Sequence, residues 1–374
     1  MTVEKSPLLD HCPTSLPAEA YFDESWYARE ESVIWQKEWI YAGRLHDLPT
    51  GHMRPLTIGN AGVILCRTSD TNITAYHNTC RHRGSELCRV EQPLGKMIRC
   101  PYHAWSYAAT DGRLLNTAHA TPTADFKKEE HGLFPLATKL WNGFIFINAA
   151  EKPAAFMPNL GLEVYDNWPM ADLITGHKLV RNLKCNWKVF WENYNECLHC
   201  PGVHPELCDL VPIYQEGLMS ETERKSWSPG MISGNALKEG ASTWTLDGQA
   251  CGPIFPNLTE AQRKAAANFA TIYPTAYIVA HVDHVRIVSL VPTGSDTTQL
   301  TAEWLFSPTT MKQKGFDPAQ VAAFASIVLE QDAEAAEMNQ RGLRSPLFEA
   351  GRLMPQEFYI YRFHEWVRGR LKIK

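Results

Sequence analysis

A segment with two cysteines and two histidines places the strongest constraint on how this chain can fold. A Cys-x-His pair is followed, after residues 83–99, by a Cys-x-x-His pair, and the four candidate ligands are Cys80, His82, Cys100 and His103. Two thiolates and two imidazoles can hold a tetrahedral zinc ion. They can equally hold a [2Fe–2S] cluster with both cysteines on one iron and both histidines on the other. Either way, these two loops predict a metal centre.

The order of the four ligands separates the two alternatives. A zinc finger of the Cys₂His₂ type has both cysteines first and both histidines later, on a helix. Here each loop supplies one cysteine and one histidine, so that each loop can contact both irons of a two-iron cluster. The spacing therefore favours the iron–sulfur cluster. Cys88, which lies between the pairs, is predicted to be a buried free thiol rather than a ligand.

Composition indicates an ordinary globular chain that is long enough for two domains. Of 374 residues, 44% are hydrophobic and 21% are charged. The net charge of −5 argues against nucleic-acid binding, which needs a concentrated basic surface. No stretch approaches the roughly 20 apolar residues of a membrane span, and the N-terminus lacks a signal-peptide core. The ten cysteines cluster beside histidines, which predicts metal ligands rather than disulfides and a reducing, cytoplasmic location.

Hydrophobic periodicity divides the chain into three regions. Residues 1–44 are predicted to be an N-terminal helical segment, because aromatic and aliphatic residues recur there at helical spacing. Residues 45–155 contain short alternating or apolar runs separated by turn signals, which predicts an all-β domain that carries the first motif in its loops. Residues 156–374 combine strand and helix patterns. The predicted fold class is α+β.

The third region has the clearest individual elements. A strand is predicted to lead into a helix from about residue 187, and residues 275–293 form a hairpin with Val-Asp-His at its turn. An Asp-Pro signal opens a long amphipathic helix that ends at Gly342. Residues 355–371 form a closing helix. These patterns predict an antiparallel sheet with long helices.

A second group of candidate ligands lies in residues 193–205, NYNECLHCPGVHP. His199 and His204 are five positions apart, and Pro201-Gly202 between them breaks the helix, so the second histidine can turn back toward the first. Two neutral imidazoles and one carboxylate form the facial arrangement that binds non-haem Fe(II). Taken alone, the segment could equally contain two ordinary core or surface histidines.

The first motif, C-x-H-x₁₇-C-x-x-H followed by Ala-Trp-Ser-Tyr, resembles the Rieske signature. Together with the second group, it makes nearly the whole chain similar to the α subunit of a Rieske non-haem iron oxygenase. The resemblance implies that the two cysteines hold the inner iron of a [2Fe–2S] cluster and the two histidines the outer one. It also implies a Rieske domain over 45–155 and a catalytic domain of helix-grip (START/Bet v 1-like) type over 156–374. The family usually has glycine where this chain has Ala104, and we expect little consequence.

The same resemblance implies the ligands of a mononuclear iron. The family pattern of an acidic residue before the iron histidines matches Glu196-x-x-His199-x₄-His204. The iron carboxylate comes from a late helix, where Asp332 is the candidate and its rivals are Glu330, Glu334 and Glu337. Asn193 is expected near the iron ligands, although a packing role is an alternative.

Glu196 has an implied role in electron transfer. Family members are trimers in which the cluster of one subunit serves the iron of its neighbour. The bridging residue is acidic and connects the outer-iron histidine, here His103, with an iron histidine, here His199, of the adjacent chain. A carboxylate between two imidazoles can accept both N–H bonds. Most members have Asp at this position, so Glu196 is a departure, and a purely local capping or orienting role is the alternative.

The resemblance implies a terminal oxygenase component, either a monooxygenase or a dioxygenase, that hydroxylates an unactivated C–H bond of a small molecule with O₂. Electrons would come from NAD(P)H through a separate flavin/iron–sulfur reductase, since the chain has neither a G-x-G-x-x-G loop nor a C-x₄-C-x₂-C cluster. The segment ENYNECLHCPGVHPEL is similar to the choline, glycine betaine and carnitine monooxygenase branch. We therefore expect N-demethylation or monooxygenation of a quaternary ammonium compound.

Two alternatives to this function remain open from the sequence. One is ring hydroxylation or O-demethylation of an aromatic acid, and the other is a Rieske electron-transfer protein without oxygenase activity. Aromatic residues suit either kind of substrate pocket, through cation–π contacts or ring packing. Those expected around the pocket are Tyr214, Trp227, Trp244, Phe255, Phe269, Tyr273 and Tyr277.

Overall fold

The computed structural model describes four ranges of the chain, and these are residues 8–156, 162–217, 237–265 and 267–373. Trp227, one of the expected pocket residues, lies outside them. The chain divides into two compact units. The first comprises Met1–Val33, Leu160–Ile272 and Ala276–Lys374, and the second comprises Ile34–Asn159 and Tyr273–Thr275.

The strands and helices of the described residues, in chain order, have the following bounds. The strands are β1 (Thr14–Pro17), β2 (Ile40–Arg44), β3 (His52–Ile58), β4 (Ala61–Arg67), β5 (Ile73–His77), β6 (Gln92–Pro93), β7 (Ile98–Arg99), β8 (Ser106–Tyr107), β9 (Leu114–Asn116), β10 (Pro135–Trp141), β11 (Phe144–Asn148), β12 (Ile174–Leu183), β13 (Ala267–Ile272), β14 (Ala276–His281), β15 (His284–Gly294), β16 (Thr297–Phe306) and β17 (Ala350–Arg352). The helices are α1 (Glu24–Glu30), α2 (Trp187–Tyr194), α3 (Cys200–Val203), α4 (Pro205–Leu210), α5 (Glu260–Lys264), α6 (Pro308–Met311), α7 (Pro318–Leu343) and α8 (Phe358–Leu371).

The second unit is built from β-strands, as the sequence predicted. Its larger sheet has the strand order β2-β11-β10-β5-β4-β3-β6, and a small sheet has the order β7-β8-β9. Adjacent strands are antiparallel, and full hairpins such as β3–β4 fix the register. Buried residues including Ile64, Ile98, Trp105 and Tyr107 form a core around Cys80 and Cys100. The two ligand loops therefore extend from a packed β framework.

The first unit confirms the predicted antiparallel sheet and long helices. Its five-stranded sheet has the order β12-β16-β15-β14-β13. The predicted hairpin is β14–β15, and the predicted helix near residue 187 is α2. The long helix α7 begins after Asp317, whose side chain accepts the Ala319 N–H while Pro318 occupies the first turn. It ends at Leu343, and α8 is the closing helix.

The N-terminal region differs from its prediction. Helix α1 is only seven residues long and continues as a π-helical turn at Glu31–Trp35. The chain then enters β2, which pairs with β11 in the large sheet. The second unit thus covers 34–159, whereas the sequence predicted 45–155. The run of apolar residues in β2 is so short that it fits both the helical and the strand period. Pairing with β11 makes the segment a strand.

A buried ion pair joins the N-terminal helix to α2 inside the first unit. Lys188 Nζ lies 2.6 Å from Glu30 Oε1, and both side chains are fully buried. Asn186 Oδ1 and the Trp187 indole also bind these two groups, at 2.8 Å each. Burial raises the pKa of Glu30 and lowers that of Lys188. Both pKa shifts reflect the cost of removing the charged groups from water. The ion pair and its hydrogen bonds compensate for this cost.

Within the four described ranges, no helix combines the length and the apolar character that crossing a bilayer requires.

Candidate active site and metal centres

Two similar tight loops carry the first set of predicted ligands. In one, the Gly84 N–H donates to the Cys80 carbonyl at 2.9 Å, and in the other the Ala104 N–H donates to the Cys100 carbonyl at 3.1 Å. Both loops turn through a left-handed residue, since φ is 72° at Gly84 and 59° at Ala104. Alanine in this region costs about 1 kcal/mol relative to glycine. We expected little consequence from alanine at position 104, but its positive φ means that it carries a stability cost.

Burial separates the cysteines from the histidines. Cys80 is 3% exposed and Cys100 is 2% exposed, whereas His82 is exposed and His103 is half-buried. The two imidazole rings have centroids 4.7 Å apart, and the Tyr107 hydroxyl lies 3.1 Å from Cys80 Sγ. The four predicted ligands thus come together with the thiols inside and the imidazoles toward the surface.

The chemistry of these donors fits an iron–sulfur cluster with mixed ligands. Burial raises the pKa of the Cys80 thiol, so the positive charge of bound iron is needed to keep it as a thiolate. His82 stacks on Trp105 at 4.8 Å between ring centroids, which fixes its orientation. Cys88 is buried and its thiol donates to the Val90 carbonyl at 3.1 Å. It is a packed free thiol, as the sequence predicted.

The second set of predicted ligands converges in the first unit. After α2 the chain forms the single turn α3 and then α4, with proline in the first turn of each, and this break returns His204 toward His199. The two Nε2 atoms lie 3.2 Å apart. Asp332 Oδ1, from α7, lies 3.0 Å from His204 Nε2 and 3.5 Å from His199 Nε2. Ligands about 2.1 Å from an octahedral metal are separated by about 3.0 Å along one face, so the set fits a facial iron site.

A second layer of hydrogen bonds orients both imidazoles. His199 Nδ1 donates to Glu196 Oε1 at 2.5 Å, and His204 Nδ1 donates to Gln331 Oε1 at 2.8 Å. Gln331 is itself held by Glu206, whose carboxylate accepts from the Gln331 amide at 3.0 Å. Because each Nδ1 carries the hydrogen, each Nε2 keeps its lone pair for a metal.

The acidic rivals of Asp332 face elsewhere. Asn193 Nδ2 donates to Asp332 Oδ1 at 2.6 Å, which brings this predicted neighbour into direct contact with the carboxylate. Glu330 and Glu337 both pair with Arg181 of β12. Glu334 is exposed. Of the four candidates on α7, Asp332 alone meets the two histidines within the described residues.

The electrostatics of this group fit cation binding. Although burial opposes protonation, hydrogen bonds to Asp332 and Glu196 raise the pKa of His199 to about 9. Burial likewise opposes ionisation of Asp332, but bonds from His199 and His204 lower its pKa to about 2. The ionised Asp332 carboxylate and the raised pKa of His199 both mean that this group of side chains stabilises a bound positive charge. A metal ion replaces the proton when it binds.

Two features of the site were not anticipated from the sequence. Gln331 was missed because an amide next to a candidate carboxylate on a helix has no signal of its own. Cys197 and Cys200, which flank His199, are joined by a disulfide, whereas the sequence predicted metal ligands rather than bridges. Their Cys-x-x-Cys spacing was the available signal. Glu196 lies at the start of this loop, and its carboxylate also accepts the N–H groups of Leu198 and His199.

Aromatic side chains of the first unit form two groups of ring contacts. Tyr194, at the end of α2, stacks on Tyr277 of β14 with centroids 4.1 Å apart. Trp244 makes edge contacts with three other rings, and these belong to Tyr214, Phe269 and Phe324. Whether these rings line a substrate pocket stays a prediction.

A third group of potential ligands forms a closed hydrogen-bond network. Cys251, Asp283 and His284 lie together near the β14–β15 turn. Asp283 accepts from His284 Nδ1 at 2.8 Å, from Thr243 Oγ1 at 2.9 Å and from the Cys251 N–H at 2.7 Å. These bonds use the carboxylate to tie a loop to the hairpin.

Family models match both parts of the chain. The model described as ring hydroxylating alpha subunit (catalytic domain) matches residues 170–373, which is more than half of the chain. The model described as Rieske [2Fe-2S] domain matches residues 38–127. The cluster loops fall within the second match, and His199, His204 and Asp332 fall within the first.

Individual relatives cover nearly the full length. The glycine betaine monooxygenase oxygenase subunit of Pseudomonas aeruginosa is 29% identical, over 96% of this chain and 89% of that protein. The chloroplastic choline monooxygenase of Atriplex hortensis is 25% identical, over 95% of this chain and 78% of that protein. The fold is similar to that of a quaternary ammonium Rieske monooxygenase, with a TM-score of 0.73 and 20% identity over 96% of each chain. The chain thus belongs to the ring-hydroxylating α subunits, oxidoreductases whose cofactors are a Rieske [2Fe–2S] cluster and a mononuclear iron.

Proposed function

We propose that this chain is the terminal oxygenase component that hydroxylates an N-methyl or adjacent carbon of a quaternary ammonium compound. The observation that carries the proposal is the convergence of His199, His204 and Asp332, with ligand atoms 3.0–3.5 Å apart. A Rieske electron carrier without oxygenase activity has no need of this second ligand set. Relatives whose names specify glycine betaine and choline support the substrate class.

Each set of ligands has a separate task in this proposal. Cys80 and Cys100 hold the inner iron of the cluster, and His82 and His103 hold the outer iron. The exposure of His82 agrees with an outer iron that exchanges electrons at the protein surface. The facial set holds the mononuclear iron, with His199 and His204 at the two ends of α3 and Asp332 on α7. When bound, these groups supply single-electron transfer and the activation of dioxygen.

The residues around the facial set prepare it for that chemistry. Glu196 and Gln331 keep the Nδ1 hydrogens in place, so both imidazoles present Nε2 in a fixed orientation. Asn193 donates to Asp332 Oδ1, the same oxygen that lies near the two histidines, and so holds the carboxylate in place. The stacked rings of Tyr194 and Tyr277 would offer π-faces to a quaternary ammonium group, at ~0.5–2 kcal/mol per contact.

The products follow from the bond that is oxidised. Insertion of one oxygen atom into an N-methyl C–H bond gives a hemiaminal, whose C–N bond then breaks. Formaldehyde and the demethylated amine leave, and the second oxygen atom becomes water with two electrons and two protons. Electrons from NAD(P)H must be delivered by a separate reductase, because an oxygenase subunit is one part of a multicomponent system.

Glu196 is proposed to bridge two subunits of a homotrimer. A related structure is described in terms of inter-subunit electron transfer. Glu196 already accepts His199 Nδ1–H within its own chain, and a carboxylate has further lone pairs for the His103 imidazole of a neighbour. Its local hydrogen bonds to the loop would also serve the alternative, purely orienting role. A flavin/iron–sulfur reductase and a cytoplasmic location stay predictions.

Substrate-dependent oxygen uptake tests this function directly. The iron-loaded protein, supplied with NADH and a surrogate reductase, is offered glycine betaine, carnitine, choline and benzoate, and formaldehyde is quantified. We expect oxygen uptake with at least one quaternary amine and formaldehyde in equal amount. Uptake with benzoate alone would favour the aromatic-acid alternative, and no uptake with any substrate despite full iron loading would contradict the oxygenase assignment.

A further inference from the structure

Arg286 is a buried cation without a partner in the described part of the chain. Its side chain is 5% exposed, its Nε has no hydrogen-bond partner, and no described carboxylate forms an ion pair with it. The other two buried lysine or arginine side chains among the described residues are compensated. Arg44 donates to the Asn142 carbonyl and stacks on Phe144, and Lys188 pairs with Glu30. A guanidinium cannot lose its proton, so an unpaired one inside a protein is costly unless an anion joins it.

Strand register places Arg286 on the face of the sheet that α7 covers. Arg286 pairs with Trp304 of β16, and residues two apart on a strand share a face. Leu300 is therefore on the same face, and it pairs with Arg181 of β12. Arg181 contacts Glu330 and Glu337 of α7. Arg286 thus faces the helix that carries the iron carboxylate.

Pairing with the neighbouring strand β14 places Tyr277 on the same face as Arg286. Arg286 pairs with Val279, so Tyr277 two positions away also lies on this face. Tyr277 stacks on Tyr194, the residue next to Asn193 at the end of α2. Burial raises the pKa of both tyrosines, and the charge of Arg286 opposes the rise in each. Asp332 adds to the rise at Tyr277, so this ring lies in the field of both charges.

We propose that Arg286 binds the carboxylate of the substrate, and that the substrate is therefore a carboxylate-bearing quaternary amine rather than choline. This inference rests on the proposed function. Arginine matches a carboxylate through two parallel hydrogen bonds. A zwitterion places its carboxylate at Arg286 and its N-methyl groups toward the aromatic rings and the iron ligands. Choline lacks the anion and brings its cation near an unneutralised guanidinium, which disfavours it.

Equilibrium binding without turnover tests the proposal. The oxidised, iron-loaded protein is titrated calorimetrically with glycine betaine, carnitine, choline and benzoate in the absence of reductase. We expect glycine betaine or carnitine to bind about 30-fold or more tightly than choline. Arg286→Gln should remove this preference by weakening carboxylate binding while leaving choline affinity equal or higher. Arg286→Lys, which keeps the charge but not the two-pronged geometry, should retain part of it.

A matched variant separates recognition from folding. Arg181→Gln alters an arginine on the same face that is already paired with Glu330, and it should leave the ligand preference intact. Cluster absorbance and the melting temperature verify that each variant is folded. The comparison of choline with the zwitterions is made on the unaltered protein, so it does not depend on any variant folding. Equal affinity for choline and for both zwitterions would overturn the inference while leaving the proposed function standing. Binding of benzoate without binding of any quaternary amine would overturn the proposed function.

Discussion

His204 Nδ1 donates to Gln331 Oε1 at 2.8 Å, while His204 Nε2 lies 3.0 Å from Asp332. Two consecutive residues of α7 thus contact opposite nitrogens of one imidazole. Asp332 occupies the metal side, and Gln331 fixes which nitrogen carries the hydrogen. The Gln331 amide is held in turn by Glu206, so the orientation of this ligand depends on two further side chains.

Removal of the Gln331 amide should weaken iron binding. Gln331→Ala leaves His204 Nδ1 without its acceptor, and loss of such a contact typically lowers metal affinity about 10- to 100-fold. The measurement is a competition of the protein with a chelator for Fe(II). Asn339→Ala removes an exposed side-chain amide from the same helix and should have no effect. Equal affinities of the two variants would contradict the orienting role.

Asp332 should be required for iron and for turnover, but not for the cluster. Asp332→Ala is expected to lower the iron content from about three to about two per chain and to abolish oxygen uptake, with the cluster spectrum unchanged. Glu334→Ala, at an exposed position on the same helix, serves as the control. Retention of mononuclear iron by Asp332→Ala would assign the carboxylate ligand to another residue.

Glu196 should control the rate of electron transfer rather than metal loading. Glu196→Gln keeps an oxygen that can accept the His199 Nδ1 hydrogen, but it removes the charge and the second acceptor oxygen. Both metals should remain bound, while single-turnover oxidation of the reduced cluster becomes slower. Stopped-flow absorbance measures this rate. An unchanged rate would leave Glu196 with only its local contacts to Leu198 and His199.

Ala104→Gly should stabilise the cluster domain. Glycine adopts the observed φ of 59° without strain, and we expect a gain of about 0.5–1 kcal/mol after the added freedom of the unfolded chain is counted. Ala137→Gly, in strand β10, should have the opposite sign and lose about 0.5–1 kcal/mol. Urea unfolding of the loaded protein gives both values. Destabilisation by Ala104→Gly would show that the methyl group contributes more packing than it costs in strain.

The buried pair of Lys188 and Glu30 should behave non-additively. Lys188→Met leaves the Glu30 carboxylate buried without its cation, at a cost of about 3–5 kcal/mol, and Glu30→Gln should also destabilise. The double variant removes both charges and keeps an acceptor for the Trp187 indole, so it should recover much of the loss. Thermal unfolding of the three variants completes the cycle. Strict additivity would mean that the two charges do not interact.

Local spacing in the sequence was enough to name the four candidate cluster ligands and the candidate pair His199 and His204. The two cluster loops are short, and each brings its own ligands together, while Pro201-Gly202 indicated the turn between His199 and His204. Asp332 needed the family resemblance as well, because several acidic residues share its helix. The structure separates them through Arg181, whose position on β12 depends on sheet pairing that local periodicity does not encode.

The remaining features depend on contacts between distant segments. Gln331 can orient His204 because the fold brings His204 and Glu206 beside it, and both are distant in the sequence. Residues Ile40–Arg44 were predicted to belong to a helical segment, but pairing with β11 makes them strand β2. Arg286 looked like one polar residue in an apolar strand, and it stands out only when burial and its missing partner are known.

The pairing of β1 with β17 can form only late in synthesis, because the two strands are far apart in the sequence. Thr14 aligns with Arg352, so β1 has a partner that is translated more than 300 residues later. Residues 34–159 form most of their own unit and can fold, and accept a cluster, before the rest exists. The mononuclear iron site proposed here includes Asp332, so its ligand set would be complete only after residue 332 has been synthesised, later than the ligand set of the cluster.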